Sequence, residues 1–365
     1  MRMSSLGSVA TIVTGQSPDG STYNRIGIGL PLLNGPTEFG DAHPNCTLFT
    51  TDSQRQCEPG DLIFCVRGST TGRMNWADRV YSLGRGVCAI RGETQLDTRF
   101  IRYCLDFSLE ALLKLATGGT FPNLTKDTIS EFEIPFPDVR RKIAAILSAY
   151  DDLIEVNQRR IRILQEMAQS LYREWFVRFR FPGHESARWV ESEVGRVPEG
   201  WEVRKLGQVI ELAYGKALTA ENRRAGPAPV YGSSGVVGYH DEAMVQGPGI
   251  IVGRKGNVGS VHWSDTGFWP IDTVFYVQTN LPLPYVYYNF QTQNFLNNDA
   301  AVPGLNRNQA YLLPIVVPAD PLLSRFGSMT MDVFAAIRNL RSRNANLRAT
   351  RDLLLPRLIS GEVEV

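Results

Sequence analysis

GDLIFCVRGSTTG, Gly60 to Gly72, returns later in the chain as GPGIIVGRKGNVG, Gly247 to Gly259. Each is a run of apolar strand formers leading into a glycine-rich turn, with Arg67 matching Arg254 and Gly72 matching Gly259. Recurrence of this kind signals a duplicated structural unit. Working outward, Leu6-Gly7-Ser8-Val9 is echoed by Leu206-Gly207-Gln208-Val209, and Gly15 and Gly215 follow. Further on, each half has an asparagine beside a leucine in a loop (Asn123-Leu124, Leu305-Asn306). Each then has an apolar strand bounded by proline (Ile134 to Pro137, Leu313 to Pro318) and a charged helical stretch.

With 365 residues the chain exceeds the size at which one core stops growing, so more than one domain is expected. Residues 1–137 and 201–320 are short runs rich in Val, Ile, Phe and Tyr, broken by Gly, Pro, Asn and Asp, with short helices such as Thr98 to Leu115. Each reads as an α/β or α+β lobe. Segments 138–180 and 321–365 read as helical spacers, and 181–200 as a linker. No run of apolar residues is long enough for a membrane span and no secretory leader opens the chain, so a cytoplasmic protein is expected. The five cysteines, Cys46, Cys57, Cys65, Cys88 and Cys104, are odd in number and form no CxxC, which favours reduced, buried thiols.

After Pro137 the apolar period changes to alternating steps of four and three: Ile143, Leu147, Tyr150, Ile154, Asn157, Ile161, Leu164, Ala168, Leu171, Trp175. The last segment repeats the seam with Val333, Ile337, Leu340, Asn344, Leu347, Arg351, Leu354 and Leu358. Two such helices are expected to pack as an antiparallel coiled coil. One asparagine interrupts each seam, either buried to set register or drifting to its edge. Phe181-Pro182-Gly183 is the expected end of the first helix. Gly361 is the expected cap of the second, after a distortion at Pro356.

A net charge of +1 leaves no global basic field. A nucleic-acid footprint would therefore have to be local. The two glycine turns place Arg67, Arg73, Arg254 and Lys255 beside Ser69, Thr70 and Asn257. These side chains could reach phosphates or base edges, although a tight hairpin needs the same glycines. The loops around Thr120 and Asn123, with Lys126 just beyond, and around Asn306, Arg307 and Asn308 offer further polar groups. So do Tyr231, Ser233 and Ser234 in another glycine-punctuated stretch. An asparagine in such a loop either reads a base or satisfies backbone.

Catalytic signatures are missing where they would be expected. His43, His184, His240 and His262 show no HExxH or other metal-ligand spacing, and no metal is expected. There is no GxxxxGK[ST] nucleotide loop and no Asn/Asp-Pro-Pro-aromatic tetrapeptide of an amino-methyltransferase.

GRVPEGWEVRKLG (Gly195 to Gly207) and LRATRDLLLPRLISGEV (Leu347 to Val363) resemble signatures of the specificity subunits of type I restriction-modification systems. PVYGSSGVVGYHDE (Pro229 to Glu242) with FWPIDTVFYV (Phe268 to Val277) is similar to a recurrent target-recognition domain of that family. YNRIGIGLPLLNGPTEF (Tyr23 to Phe39) with LGRGVCAI (Leu83 to Ile90) is similar to another. Where the family often has Pro-x-x-Glu-Gln entering the first helix, this chain has Pro137-Asp138-Val139-Arg140-Arg141.

The resemblance implies an α+β protein with two α/β target-recognition domains in tandem, each followed by a long helix. It implies a non-catalytic subunit that reads a bipartite, asymmetric double-stranded DNA target. Two methyltransferase subunits, and motor/endonuclease subunits, would bring S-adenosylmethionine, ATP and Mg. A forty-residue helix spans roughly 60 Å, of the order of two turns of B-DNA, so the helices would act as a ruler. Ile143, Leu147, Ile154, Asn157, Ile161, Leu164, Leu340, Leu347 and Leu354 would form their packing seam. The competing readings are a DNA-acting nuclease with an unrecognised active site and a purely structural coiled-coil scaffold.

Overall fold

The computed structural model describes residues 2–118, 122–295 and 304–365. The chain divides into two compact units, Met1–Asn157 with Arg343–Val365, and Gln158–Ser342. Each unit is a mixed α/β lobe joined to part of both long helices, Arg140–Tyr172 and Asp320–Ser360.

In the first unit the strand Leu62–Cys65 is buried along its whole length. It lies inside an antiparallel sheet ordered Ala10–Thr14, Val87–Gly92, Leu62–Cys65, Met74–Trp76. Successive side chains leave opposite faces. Leu62, Phe64, Cys88 and Ile90 pack with Phe100, Ile101 and Leu105 of the helix Gln95–Phe107, while Ile63, Val87 and Ala89 pack with Leu33 and Tyr81 on the other face. A run apolar at every position, rather than every second one, follows from this two-sided burial.

The helix Gln95–Phe107 is capped reciprocally by Thr94 and Asp97. The same Asp97 carboxylate accepts from Arg140 Nε at 2.8 Å and Arg141 Nη2 at 2.8 Å, tying the start of the central helix to the lobe. Burial pushes this carboxyl up, but the hydrogen bonds from Arg141, Thr94 and Arg140 outweigh it and hold it at about 2. Ile143, Ala144 and Leu147 of the central helix then join Leu358 and Ile359 of the last helix in the lobe's core. Asn157 and Asn344 are both 3% exposed. Asn157 Nδ2 donates to Asn344 Oδ1 at 2.8 Å, and Asn344 Nδ2 donates to the Ile154 carbonyl at 3.3 Å. The seam asparagines are thus inside and satisfied, not at its edge.

The second unit repeats the plan. Its sheet runs Ile210–Tyr214, Val274–Thr279, Gly249–Gly253, Val261–Ser264, again antiparallel throughout. In each lobe a second sheet includes a parallel pair: Leu30–Leu33 with Ser82–Leu83, and Ala228–Gly232 with Trp269–Pro270. The outermost strands also correspond, Met3–Ser5 pairing Glu133–Pro135 and Glu202–Lys205 pairing Pro314–Val317. Gly15 and Gly215 mark the same place in both, where a Cβ would come within 2.1 Å of the Gly84 or the Ile271 carbonyl. Only glycine tolerates that approach.

The core of the second unit is aromatic: Tyr172, Trp175, Phe176, Trp201, Tyr285, Tyr288, Phe326 and Phe334. Phe176 sits edge-on to Phe326 at 4.9 Å and to Tyr285 at 5.0 Å. The central helix ends earlier than the expected Phe181-Pro182-Gly183, passing into a π-helical turn, Arg173–Val177. Phe179 then adopts a positive φ of 56°. The wider turn lets Trp175 and Phe176 both face inward. The reversal at Phe179 brings its ring against Trp189 and Trp201, at 5.7 and 5.5 Å. Pro356 lies within the last helix and Gly361 follows its end at φ 79°. Among the described residues no helix is long and apolar enough to cross a membrane.

Candidate nucleic-acid interface

The glycine turns leave the inner strands at the same place in both sheets, but with a shift that the sequence match conceals. Val66 N donates to Gly86 O, and Arg254 N donates to Thr273 O. Cys65 pairs with Val87, and Gly253 pairs with Val274. Arg254 therefore occupies the position of Val66, and Lys255 that of Arg67. The backbone closure confirms this register: Gly72 N reaches back to Cys65 O, and Gly259 N to Gly253 O, so the second turn is one residue shorter. Arg67 is therefore matched by Lys255 and not, as the motifs align, by Arg254. A one-residue shift moves a side chain to the other face of the strand.

Most of the turn amides are already taken by acceptors within the protein. In the first lobe the N–H groups of Gly68, Thr71, Gly72 and Arg73 donate to protein carbonyls. In the second, those of Arg254, Lys255, Val258, Gly259 and Ser260 do the same, and Asn257 N donates to Ser233 Oγ at 3.3 Å. What the turns present outward is side chains.

In the second lobe Arg254 Nη1 donates to the Asp272 carbonyl at 2.9 Å, and its guanidinium lies 5.1 Å from the Tyr214 ring centre and 5.8 Å from that of Phe275. Arg307 lies 5.0 Å from the same Tyr214 ring and 5.9 Å from that of Tyr311. Stacking of this kind stabilises an exposed cation by about 0.5–1 kcal/mol and orients its plane. Tyr214, 49% exposed, was not singled out from sequence. Its signal is an aromatic at the end of the edge strand Ile210–Tyr214, next to Gly215-Lys216. Lys255, Asn257, Ser234 and Asn308 are exposed nearby in sequence.

In the first lobe Arg67 Nε donates to Asn123 Oδ1 at 2.9 Å. Arg73 lies 6.0 Å from the Phe39 ring centre, and Ser69 and Lys126 are exposed, with Thr70 half-buried. Thr120 lies outside the described residues. Among the described residues no carboxylate oxygen comes within 4.0 Å of Arg67, Arg73, Lys126, Arg254, Lys255 or Arg307. Arg91, Arg140, Arg141 and Arg351, by contrast, are all ion-paired.

Several expected site residues have structural duties. Tyr231 belongs to the strand Ala228–Gly232, is 7% exposed and donates its hydroxyl to the Trp263 carbonyl at 3.2 Å; the glycines around it mark a hairpin, not an open loop. Ser233 is held in that hairpin turn, its carbonyl accepting from Ser260 Oγ at 2.5 Å and His262 Nε2 at 3.0 Å. Asn306 caps the helix Arg307–Leu312, accepting from Asn308 N and Gln309 N. Its counterpart is Thr125, which caps Lys126–Glu131, so Asn123 and Asn306 are not equivalent and Lys126 corresponds to Arg307.

Among the described residues no three His, Cys, Asp or Glu side chains are placed to hold a metal. His43, His184 and His262 each bond a backbone carbonyl, and His240 Nδ1 accepts from Arg224 N. All five cysteines are free, and burial raises the Cys46, Cys57 and Cys88 thiols to about 12.

The type I restriction modification DNA specificity domain matches residues 1–166 and 198–319, one match per lobe. The chain belongs to that family. It is 26% identical over 290 residues to the type I restriction enzyme MjaIX specificity subunit of Methanocaldococcus jannaschii, covering 70% of this chain and 66% of that protein. To the MjaVIII specificity subunit of the same organism it is 33% identical over 159 residues, covering 43% and 36%. The matched stretches thus span between 35 and 66% of the lengths of three relatives from that organism. A crystal structure of the type I system S subunit from M. genitalium superposes with a TM-score of 0.62 at 18% identity, over 97% of this chain and 94% of that one. This last likeness supports the specificity-subunit fold.

Proposed function

We propose that this chain is the DNA-reading subunit of a type I restriction-modification complex, each lobe recognising one half of a bipartite, asymmetric duplex target. The observation that carries the reading is the matched pair of glycine turns, one in each lobe, which carry Arg67, Arg73, Arg254 and Lys255 with no carboxylate partner among the described residues. Cations left for an outside anion, rather than for internal structure, are what phosphate and base-edge recognition requires. Different side chains on the two turns make the half-sites different.

The long helices pack as an antiparallel coiled coil that spaces the lobes and docks two methyltransferase subunits, with motor/endonuclease subunits joining the assembly. Supporting this, residues rise along one helix as they fall along the other: Leu147 clusters with Leu358, Asn157 bonds Asn344, and Trp175 clusters with Phe326. Ile161, Leu164, Leu340, Leu347 and Leu354 are the partly buried positions between. The chain itself does no chemistry; S-adenosylmethionine, ATP and Mg belong to its partners.

Long-read methylome sequencing of the host with and without the gene tests this. A bipartite methylated motif that disappears on deletion is expected. Its absence, or DNA cleavage by the purified chain alone, overturns the reading.

A further inference from the structure

Resting on that reading, we propose that Arg254 determines specificity by reading a guanine in the second half-site. On this assignment Tyr214 is its positioning residue, and Arg307 contacts a backbone phosphate.

Arg254 stands where the first lobe has Val66, a residue of the apolar core, and Tyr214 stands where it has Thr14. An arginine stacked at this strand position is thus a property of one lobe, added to a scaffold in which the neighbouring backbone bonds are shared. Phosphates are the same at every step of a duplex, so a residue that meets them has no reason to differ between lobes. A residue that reads a base does.

The geometry points the same way. The guanidinium of Arg254 is fixed by stacking on Tyr214 and by donating Nη1 to the Asp272 carbonyl. A fixed plane meets the requirement for two parallel bonds to guanine O6 and N7. Arg307 differs in both respects. Its position carries a cation in both lobes, Lys126 being the other, and no hydrogen bond orients it among the described residues. Both arginines flank one ring and so lie within about 10 Å of each other, inside the Debye length at 0.1 M salt. Their repulsion is relieved by the electronegative groove edge and phosphate of a duplex.

The test is duplex binding by the full chain across 50–200 mM salt, using the target motif and its single-base-pair variants in the second half-site. Wild type should discriminate against loss of one G·C pair by about 10–100-fold. Arg254→Gln should lose the preference for G·C at that one position, where glutamine pairs with adenine instead, and leave the other positions unchanged. Arg307→Gln should weaken every duplex by the same factor and lower the log–log salt slope by about 0.9. Tyr214→Leu should blunt the same base preference as Arg254→Gln, while Tyr214→Phe, which keeps the ring, should not. Each variant is melted alongside to confirm an unchanged fold. Equal weakening of all duplexes by Arg254→Gln, or no relaxed position, overturns the assignment and leaves the subunit's function standing. A wild-type chain without sequence preference overturns the function as well.

Discussion

The turn of the first lobe holds Arg67 by an amide, and the turn of the second lays Arg254 on an aromatic ring. In one, Arg67 is anchored by Asn123; in the other, Arg254 rests on Tyr214, shifted by one residue in a turn one residue shorter. Beneath them the backbone is the same: Leu124 N donates to Val66 O at 2.9 Å, and Leu305 N to Arg254 O at 2.9 Å. The difference teaches that duplication preserved the hydrogen bonds that join turn to short helix, because breaking them leaves buried amides unsatisfied. Side chains facing outward were free to diverge.

The largest test of how independent the lobes are is in their cores. Phe326→Ala opens the aromatic cluster of the second unit and should cost about 3–5 kcal/mol. Phe100→Ala should cost as much in the first. Calorimetry should show each variant lowering a different transition; one shared transition lowered by both would show that the lobes unfold as one body.

Next is the polar layer of the helices. Asn344→Leu leaves the Asn157 amide buried without its partner and should destabilise by about 1–3 kcal/mol, whereas Asn157→Leu with Asn344→Leu should recover most of the loss. Denaturant titration of the three variants measures the coupling. Additive losses would mean that the two amides do not interact.

Acid separates the lobes as well. Asp97 titrates at about 2 in the folded chain against an ordinary 3.8, so its stabilisation is full above about pH 4 and is lost as pH falls toward 2. Asp97→Asn should remove about 2 kcal/mol at neutral pH and flatten that acid limb for the first unit. The corresponding helix of the second lobe, Leu283–Thr292, has no acidic residue in its first turn, so no equivalent contribution is expected from its start. Chemical denaturation from pH 7 to 2, read on each unit's transition, checks the asymmetry.

The smallest effect concerns the caps that the two lobes share. Thr125→Ala and Asn306→Ala should each cost about 1 kcal/mol, and equally, if the short helices are equivalent. A large difference in the melting shifts would break the correspondence of Lys126 with Arg307.

Much of this architecture was legible in the chain. The repeat of apolar run and glycine turn located the inner strands, and the four-three spacing from Ile143 to Trp175 marked the buried stripe of the central helix. Both signals survive because periodicity reports burial directly. The site was less legible. Tyr231 and Ser233 looked like open loop because glycines flank a tight hairpin as readily as a binding loop, and Asn306 looked like a reader because capping and base recognition call on the same carboxamide.

The sequence by itself determined the duplication, the family and the identity of the long helices, since these rest on patterns that are local or repeated. Only the tertiary structure decided that Arg254 stands at the position of Val66, that Tyr214 lies under it, and that Asn157 and Asn344 meet. The reason is that a one-residue difference in turn length is invisible to matching motifs, yet in a strand it exchanges the two faces. Which side chains converge is settled by pairing partners distant in sequence, Val274 for Gly253 and Val87 for Cys65, that no local pattern specifies.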